Sequence, residues 1–461
     1  MKVKVINPPN QPFSSRGILI EPIDALGIAS FIAGLGHEVS LVDMDIRQTP
    51  ANEYTAALKD DVDYDLAVIV HDYHIPLHQD GALASVRDIA RQATAHGAVV
   101  VAGGKSATYR PEVLLEEPGI RALIRHEMEP ALEALLAAND WSEAGLRGVP
   151  GISFRGADGA IVTSARGNNT FDVTRLPIPD RGLVPLDEYI DVRTILSSRG
   201  CHMTCDFCHV PGFWGGWRGR AAASVVDEIE QLVTRHGAKK ILFLDDNATV
   251  NKKRMKEICR GIRDRGIRVA MGCLGSLSLY DRSMMEDMWQ AGFRWIHYGV
   301  ESGDDALLQS IHKKVRGGDA RRIIADTRDI GFRVRTSWIM DLPGTTEDQF
   351  RRTSDLILET RTDEIRLHHL ALRMGSRLYD AYPAQPSSQY IHHGRPNQNL
   401  SGIPGDRLME MIGRLTQELG SSHAVVKDPD EFIDMNALTR RSPGLQIASL
   451  CPLRYGLGWE A

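Results

Sequence analysis

Short apolar runs and helical segments alternate along the first part of the chain. The apolar runs predict strands at residues 3–6, 39–42, 66–70 and 98–102, and a helical segment at 25–35 ends at Gly36. Alternation of this kind favours a parallel sheet with helices on both faces. Ligands of such sheets bind at the carboxyl ends of the strands. We therefore predict a Rossmann-like domain over residues 1–137, with any ligand site in its strand-end loops.

The pattern weakens between residues 138 and 191, where Gly, Pro and Asn are frequent. Stretches of this composition are turn and loop signals. We predict a linker that carries a small hairpin.

Strand and helix signals resume at residue 192 and continue to residue 375. The predicted strands are 193–197, 240–244, 268–271, 295–300, 333–340 and 364–368, and the predicted helices are 224–234, 252–265, 281–291, 320–330 and 346–360. Strand–helix units of this number indicate a partial (β/α)6 barrel with its active site at the carboxyl ends of the strands. Residues 376–461 are expected to form a small α-rich region, so the predicted fold class is α/β.

The composition of the chain argues against some kinds of binding partner. The chain has 461 residues, 25% of them charged, and a formal net charge of −6. Proteins that bind nucleic-acid phosphates are usually basic, so no nucleic-acid partner is expected. No run approaches the roughly 20 apolar residues of a membrane helix, and the first residues lead into a strand without a signal-peptide pattern. We expect a cytoplasmic protein with no membrane partner.

Three of the six cysteines, Cys201, Cys205 and Cys208, fall within eight residues. A chain this long and cysteine-poor does not suit a disulfide framework. The Cys-x3-Cys-x2-Cys spacing supplies three thiolates from one loop, which can hold three irons of a 4Fe–4S cluster and leave the fourth open. The alternative is zinc, which needs four ligands. His202 or His209 could be the fourth, although the spacing suits zinc poorly.

Around this loop, over about residues 190–375, the sequence resembles the radical S-adenosylmethionine (SAM) superfamily. The resemblance implies that the open iron binds the amino and carboxyl groups of SAM. An electron from the cluster then cleaves SAM to methionine and a 5′-deoxyadenosyl radical. Phe207 matches the family position beside the adenine.

Three predicted strand ends match further motifs of the superfamily. They imply SAM contacts from Asp245, Asp246 and Asn247 near the amino group, from Glu301 and Ser302 at the ribose and carboxylate, and from Pro343 and Gly344 at the adenine. Each motif taken alone is also compatible with an ordinary strand exit. Arg218 and Arg220 either serve substrate or SAM, or form a surface cation pair.

Residues 1–135 resemble the cobalamin-binding domain found ahead of many radical SAM barrels, on Asn7-Pro-Pro9, Gly36-His-Glu-Val39, Asp43 and Gly103-Gly104. Where that subgroup has Arg-Gly-Glu-Gly-Glu, this chain has His126 and Met128 in place of the two glycines. Glycine allows close approach of a ligand that larger side chains block. The third strand also ends in the polar run 71–74, with His78 nearby, which is either a solvated loop, a filler of a vacated pocket or a source of acid/base groups. We therefore doubt that cobalamin binds, with bound cobalamin as the alternative.

The overall plan is similar to the radical SAM diol dehydratases of aminoglycoside antibiotic pathways. This similarity implies a small polar substrate, an aminosugar-like 1,2-diol, which loses water in antibiotic or secondary-metabolite biosynthesis. Dehydration needs an acid and a base, and the candidates near strand ends are His297, Tyr298, His368, His369 and Arg373. The alternatives are a cobalamin-dependent radical SAM methyltransferase of a small-molecule natural product and an iron–sulfur redox sensor. An external one-electron reductant, flavodoxin- or ferredoxin-like, is the expected protein partner.

Overall fold

The computed structural model describes residues 1–9, 20–46, 49–59, 63–71, 79–166, 171–360, 362–382 and 399–422. His78 and residues 72–74 of the polar run after the third strand lie outside these residues. The chain divides into two compact units. The first comprises Met1–Ile190 with Phe213–Arg218, and the second comprises Asp191–Gly212 with Gly219–Ala461.

The strands are β1 Lys2–Asn7, β2 Glu38–Asp43, β3 Leu66–Val70, β4 Val99–Gly103, β5 Ala122–Ile124, β6 Ile152–Arg155, β7 Ile161–Thr163, β8 Arg193–Ile195, β9 Ser198–Arg199, β10 Arg218–Gly219, β11 Lys240–Phe243, β12 Ala270–Gly275, β13 Phe293–Glu301, β14 Arg333–Ile339 and β15 Glu364–His368. The helices are α1 Ile23–Gly34, α2 Tyr54–Lys59, α3 Gln79–Ala95, α4 Lys105–Tyr109, α5 Pro111–Leu114, α6 Met128–Ala138, α7 Glu143–Arg147, α8 Val210–Trp214, α9 Ala222–Thr234, α10 Lys252–Asp264, α11 Arg282–Ala291, α12 Asp305–Ser310, α13 Gly317–Ile330, α14 Glu347–Thr360, α15 Arg377–Ala381 and α16 Gly405–Ser422.

The first unit contains one sheet with the strand order β2-β1-β3-β4-β5-β6-β7. Its first five strands are parallel, and β3 is buried along its whole length, as expected for a parallel strand covered on both faces. The predicted hairpin is present as β6 and β7, but it pairs with β5 and so extends the sheet. Residues 138–190 are therefore part of the first unit rather than a linker, which corrects the predicted boundary at residue 137.

The second unit contains six parallel strands in the order β15-β14-β13-β12-β11-β8. Successive strands are neighbours, and helices α9, α10, α11, α13 and α14 lie between them in the chain. This arrangement confirms the six predicted strand–helix units. Strand β12 begins at Ala270, two residues later than predicted, and continues to Gly275, beyond the predicted end at residue 271.

Alternation along the strands separates two faces of this second sheet. In β13, Ile296, Tyr298 and Val300 belong to the apolar core that the sheet forms with its helices. Trp295 and His297 alternate with these residues and lie on the other face, which we call the inner face. None of the described helices is long and apolar enough to cross a membrane.

Candidate active site

Three cysteines lie on the loop between β9 and α8. Cys201, Cys205 and Cys208 are half-buried free thiols. Between the second and third, the carboxylate of Asp206 lies 2.8 Å from Nδ1 of His312, in the turn after α12. The cysteine loop is thereby fastened to the segment that follows β13.

Burial sets the protonation state of these thiols. It raises the pKa of Cys208 to about 12, and it raises the pKa of Cys201 and of Cys205 as well. Cysteine binds metal as the thiolate, so iron binding must displace these protons. Nδ2 of Asn247 donates to Sγ of Cys201 at 3.7 Å. Three thiols on one fixed loop, with an amide donor beside them, fit three irons of a 4Fe–4S cluster.

The same residues do not fit a zinc ion. Among the described residues, no three His, Cys, Asp or Glu side chains converge on a single ion position. Zinc in a structural site needs four ligands around one point, whereas a cubane cluster takes each thiolate on a different iron. The geometry of the loop therefore suits a cluster.

Lys313 is a site residue that the sequence analysis missed. Its ammonium lies 3.1 Å from Oε1 of Glu301 and 5.8 Å from the ring centre of Phe207. Burial alone would lower the pKa of Lys313, but the negative charges of Glu301 and of the Cys205 and Cys208 thiolates raise that pKa overall. Lys313 therefore keeps a positive charge next to the cysteine loop. A lysine in a turn carries no motif, so only its position after the Glu301 strand end could have drawn attention to it.

Glu301 ends β13 in a left-handed conformation with φ +74°. The register between β13 and β14 shifts at this point, and a Cβ added at Gly299 would collide with the Glu301 carboxylate. Non-glycine residues held in this region store strain and are concentrated at functional sites. Both the glycine and the strain support the predicted importance of the Gly299–Ser302 motif.

Ser302, in the same motif, has a structural role instead. It is 1% exposed, and its hydroxyl lies 3.0 Å from that of Thr353 on α14 and accepts a hydrogen bond from the backbone N–H of Asp304. These bonds turn the hydroxyl toward the helix layer. The prediction that Ser302 contacts SAM is therefore wrong.

Asp245 and Asp246 support the cysteine loop from the end of β11. Asp245 accepts hydrogen bonds from the backbone and hydroxyl of Ser197 at 2.7 and 2.5 Å and from the hydroxyl of Ser198 at 2.6 Å. It is 0% exposed, so its predicted contact with SAM is wrong. Asp246 accepts from the backbone N–H of Gly200 at 3.0 Å, directly before the first cysteine. A SAM contact from Asp246 or Asn247 stays a prediction.

The remaining predicted SAM residues lie on packed loops. Phe207 is partly buried against Leu307, Ile311 and Leu342. Gly344 has φ +74°, and its N–H donates to the carbonyl of residue 400 at 2.8 Å. The loop with Pro343 and Gly344 is thus fixed by the segment before α16, and its SAM contact stays a prediction.

His297 and His368 share the inner face of the second sheet. Nε2 of His297 lies 2.5 Å from the hydroxyl of Ser337, and burial, followed by the charge of Arg335, lowers the pKa of His297 well below its ordinary value. Tyr298 points the other way, since its hydroxyl lies 3.3 Å from that of Thr327 on α13. Tyr298 is therefore a core residue, and its prediction as an acid/base group is wrong. Period-two alternation could have shown this from the sequence.

His369 is paired with a carboxylate that the sequence analysis did not single out. Its Nδ1 lies 2.9 Å from Oδ2 of Asp341, which is 1% exposed and also accepts from the backbone of Leu370. A buried Asp that fixes one ring nitrogen leaves the other available for proton transfer. His369 is thus the best-oriented acid/base candidate of the predicted set. Arg373 is half-buried in the loop after β15, and its role stays a prediction.

Arg218 and Arg220 are structural. Arg220 is 3% exposed and pairs with Glu228 at 2.5 Å. Arg218, in the first unit, pairs with Glu127 at 2.7 Å and donates to the carbonyls of Phe171 and Trp214. Neither residue is a surface cation, since each guanidinium group is paired with a buried carboxylate.

In the first unit, protein side chains fill the carboxyl edge of the sheet above β4 and β5. Met128 is 0% exposed, and a Cβ added at Gly103 would lie 2.6 Å from its thioether. Phe213 is also 0% exposed, with the ammonium of Lys105 5.1 Å from its ring centre. The glycine at 103 is therefore needed for packing against Met128.

His126 closes the same part of the edge. It has φ +59°, a conformation that suits the glycine of the family motif. Its Nδ1 lies 3.0 Å from the carbonyl of Phe213, and burial, with a further effect of Arg166, lowers the pKa of His126 to about 4. The neutral ring donates to that carbonyl. His126, Met128 and Phe213 therefore fill the edge of the sheet directly above β4 and β5.

The family comparison places a radical SAM domain at residues 195–357, where the model of the radical SAM superfamily matches the chain. Two curated relatives were matched over somewhat more than half of this chain. An uncharacterized methyltransferase of Pyrococcus horikoshii is 26% identical over 287 residues, which are 61% of this chain and 62% of the relative. An anaerobic magnesium-protoporphyrin IX monomethyl ester cyclase of Rubrivivax gelatinosus is 28% identical over 276 residues, which are 58% of this chain and 50% of the relative.

Among solved structures, the fold is similar to that of the radical SAM methyltransferase TsrM from Kitasatospora setae, solved with cobalamin and a 4Fe–4S cluster bound. The TM-score is 0.69 at 21% identity, and the alignment covers 82% of this chain and 76% of that one. The likeness extends over the cobalamin-binding-like domain as well as the radical SAM domain, and at this level of identity it concerns the fold.

Proposed function

Since the chain belongs to the radical SAM superfamily and has a cobalamin-binding-like domain ahead of its radical SAM domain, we propose that it reductively cleaves SAM and uses the product radical on a small polar molecule. The observation that supports this most is the fixed loop of Cys201, Cys205 and Cys208 at the carboxyl end of the second sheet. When bound, the cluster supplies the electron that cleaves SAM. We propose that this electron comes from an external flavodoxin- or ferredoxin-like reductant.

The residues around the loop have separate tasks in this proposal. Asp245 and Asp246 hold the cysteine loop through Ser197, Ser198 and Gly200. We propose that Glu301, which contacts Lys313, accepts hydrogen bonds from SAM. We propose that His369, which contacts Asp341, moves a proton of the substrate.

Anaerobic incubation with SAM and dithionite tests the proposal. We expect methionine and 5′-deoxyadenosine in equal amounts by chromatography and mass spectrometry. Protein that carries a complete 4Fe–4S cluster but forms no 5′-deoxyadenosine with any reductant would contradict it.

Methyl transfer to a small molecule is the reaction class that the comparisons favour. An uncharacterized methyltransferase is among the matched relatives, and the fold is similar to that of a radical SAM methyltransferase. These findings support the methyltransferase hypothesis better than the dehydration that the sequence analysis placed first. The matched regions are 62% and 50% of the two relatives, so substrate and partners belong to the proposal as well.

Dehydration of an aminosugar-like diol is a second candidate because of one observation. Met128, His126 and Phe213 fill the sheet edge above β4 and β5, where a domain that had kept its cofactor would have space. Loss of cobalamin would disfavour methyl transfer to an unactivated carbon and favour hydrogen abstraction followed by elimination.

Product analysis separates the two candidates. Methyl transfer from SAM leaves S-adenosylhomocysteine and a product heavier by one methylene, whereas dehydration leaves no S-adenosylhomocysteine and a product lighter by one water. Protein grown with abundant cobalamin should be assayed for both, and its bound cobalamin measured by visible absorption. Stoichiometric cobalamin with S-adenosylhomocysteine would exclude the dehydratase.

A further inference from the structure

A cluster of charged side chains lies on the inner face of β13, β14 and β15. The strand register sets His297 beside Arg335, and Arg335 beside Glu364. One step further toward the carboxyl ends, Ser337 lies beside Arg366. Alternate residues of a strand share a face, so these side chains project into the same space, with His368 at the next position of β15.

Contacts fix Arg335 in this space. Its guanidinium pairs with Glu364 and lies 4.6 Å from the ring centre of Trp295. Arg366 pairs with the same carboxylate, with Nε 3.3 Å from Oε1 of Glu364. Among the described residues, Glu364 is the ion-pair partner that the two guanidinium groups share.

The cluster has more positive than negative charge. Two guanidinium groups face one carboxylate, burial keeps His297 neutral, and the hydroxyl of Ser337 carries no charge. The side chain of Arg335 is 7% exposed, and its Nε has no hydrogen-bond partner in the part of the chain that the structure describes. Burial and the neighbouring Arg366 lower the pKa of Arg335 to about 10. A buried donor and an uncompensated cation are both costly, so an anion would stabilise this arrangement.

We propose that Arg335 and Arg366 bind an oxyanion of the substrate, a carboxylate or a phosphate. The planar fork of arginine matches the oxygens of both groups. Arg366 and Glu364 have side chains 18% and 32% exposed, so they form the accessible side of the cluster, with Arg335 behind them. This proposal rests on the proposed function, because it places the charged end of the substrate on the inner face of the second sheet. The cysteine loop and His369 belong to the same unit, where they come after strands β9 and β15.

Inorganic phosphate and acetate are suitable probes because the substrate is not identified. Titration calorimetry of the cluster-loaded protein should show a saturable site for at least one of them. Arg335→Gln and Arg366→Gln should each weaken that binding at least tenfold. Glu364→Gln should strengthen it severalfold, since it removes the carboxylate that competes for both guanidinium groups. Arg321→Gln, at an exposed ion pair with Glu359, is the control and should change nothing.

The two probes distinguish a phosphate from a carboxylate site, and the variants keep the proposal falsifiable. If Arg335→Gln loses its iron and does not fold, anion binding by Arg366→Gln and Glu364→Gln still tests the oxyanion site. Wild-type protein that cleaves SAM but binds neither anion, or binds it equally after Arg366→Gln and Glu364→Gln, would overturn the oxyanion site and leave the proposed function intact. Anion binding by a protein that never cleaves SAM would support the oxyanion site and contradict the proposed function.

Discussion

At the carboxyl end of the first sheet, Met128, Phe213 and Trp214 are 0%, 0% and 1% exposed. At the same end of the second sheet the strands lead instead into thiols, carboxylates and a lysine, and Glu301 is held there with φ +74°. The first five strands of the first sheet and all six strands of the second are parallel, and both sheets were expected to bind ligands at this end. The difference shows that the same strand ends can lead into packed apolar side chains in one sheet and into thiols and charged groups in the other.

The largest expected effect comes from Cys205→Ala in the second unit. Two thiolates cannot hold the cluster with an open iron, so iron content and 5′-deoxyadenosine formation should both fall to background. Cys259→Ala, at a buried core cysteine, is the control and should keep its iron. Retention of the full iron content after Cys205→Ala would contradict the claim that the strand ends of the second sheet, unlike those of the first, hold a cluster.

Asp245→Ala should be strongly destabilising because it unpairs buried groups on the cysteine loop. Ser197 and Ser198 lose their acceptor, and nearby Arg254 loses the charge that opposes its burial. Removing one partner of a buried charge pair costs about 3–5 kcal/mol. Urea unfolding should show this loss, while Asp355→Ala, at an exposed position of α14, should be nearly neutral. Equal stability of the two variants would mean that Asp245 does not support the loop.

How much the sequence predicts differs between fold and site. The predicted bounds of β3 and β15 are those of the structure, and for β3 the reason is that a buried parallel strand is a local apolar run. The strand β5 has only three residues and gives no such pattern. That the predicted hairpin would join the sheet depends on an unpaired edge elsewhere in the fold, which no local signal records.

The site shows the same limit. The cysteine spacing is local, so it was found, and Glu301 was found by its motif. Lys313 and Asp341 were not, because their importance lies in the residues that folding brings to them, Glu301 and His369. Tyr298 was misassigned because adjacent strand residues were treated alike although they face opposite sides.

Glu301→Gln should weaken SAM binding without loss of the cluster. A hydrogen bond to a charged group contributes roughly 1.5–3 kcal/mol, so the affinity should fall at least about tenfold. Equilibrium binding of SAM to iron-loaded protein measures this effect. Glu359→Gln, at an exposed ion pair on α14, is the matched control. Unchanged affinity after Glu301→Gln would show that the strained strand end is structural.

The smallest expected effect is a pH dependence in the first unit. The pKa of His126 is lowered to about 4 by burial, against about 6.5 in an unfolded chain. The unfolded state therefore binds more protons below pH 6.5, and stability falls as the pH is lowered. Between pH 7 and pH 5 wild type should lose about 1–2 kcal/mol that His126→Gly does not lose. Denaturant unfolding at both pH values measures this, with exposed His96→Ala as the control. If the free energy of unfolding of wild type and of His126→Gly changed equally with pH, the claim that His126 is buried at the edge of the first sheet would be contradicted.

The most direct test of the central claim is electron paramagnetic resonance of the anaerobically reconstituted, reduced protein before and after addition of SAM. We predict about four irons per chain and one 4Fe–4S signal that shifts when SAM binds the open iron. A full complement of zinc without iron, or a cluster signal that SAM leaves unchanged, would contradict the assignment of the cysteine loop as the SAM-cleaving centre.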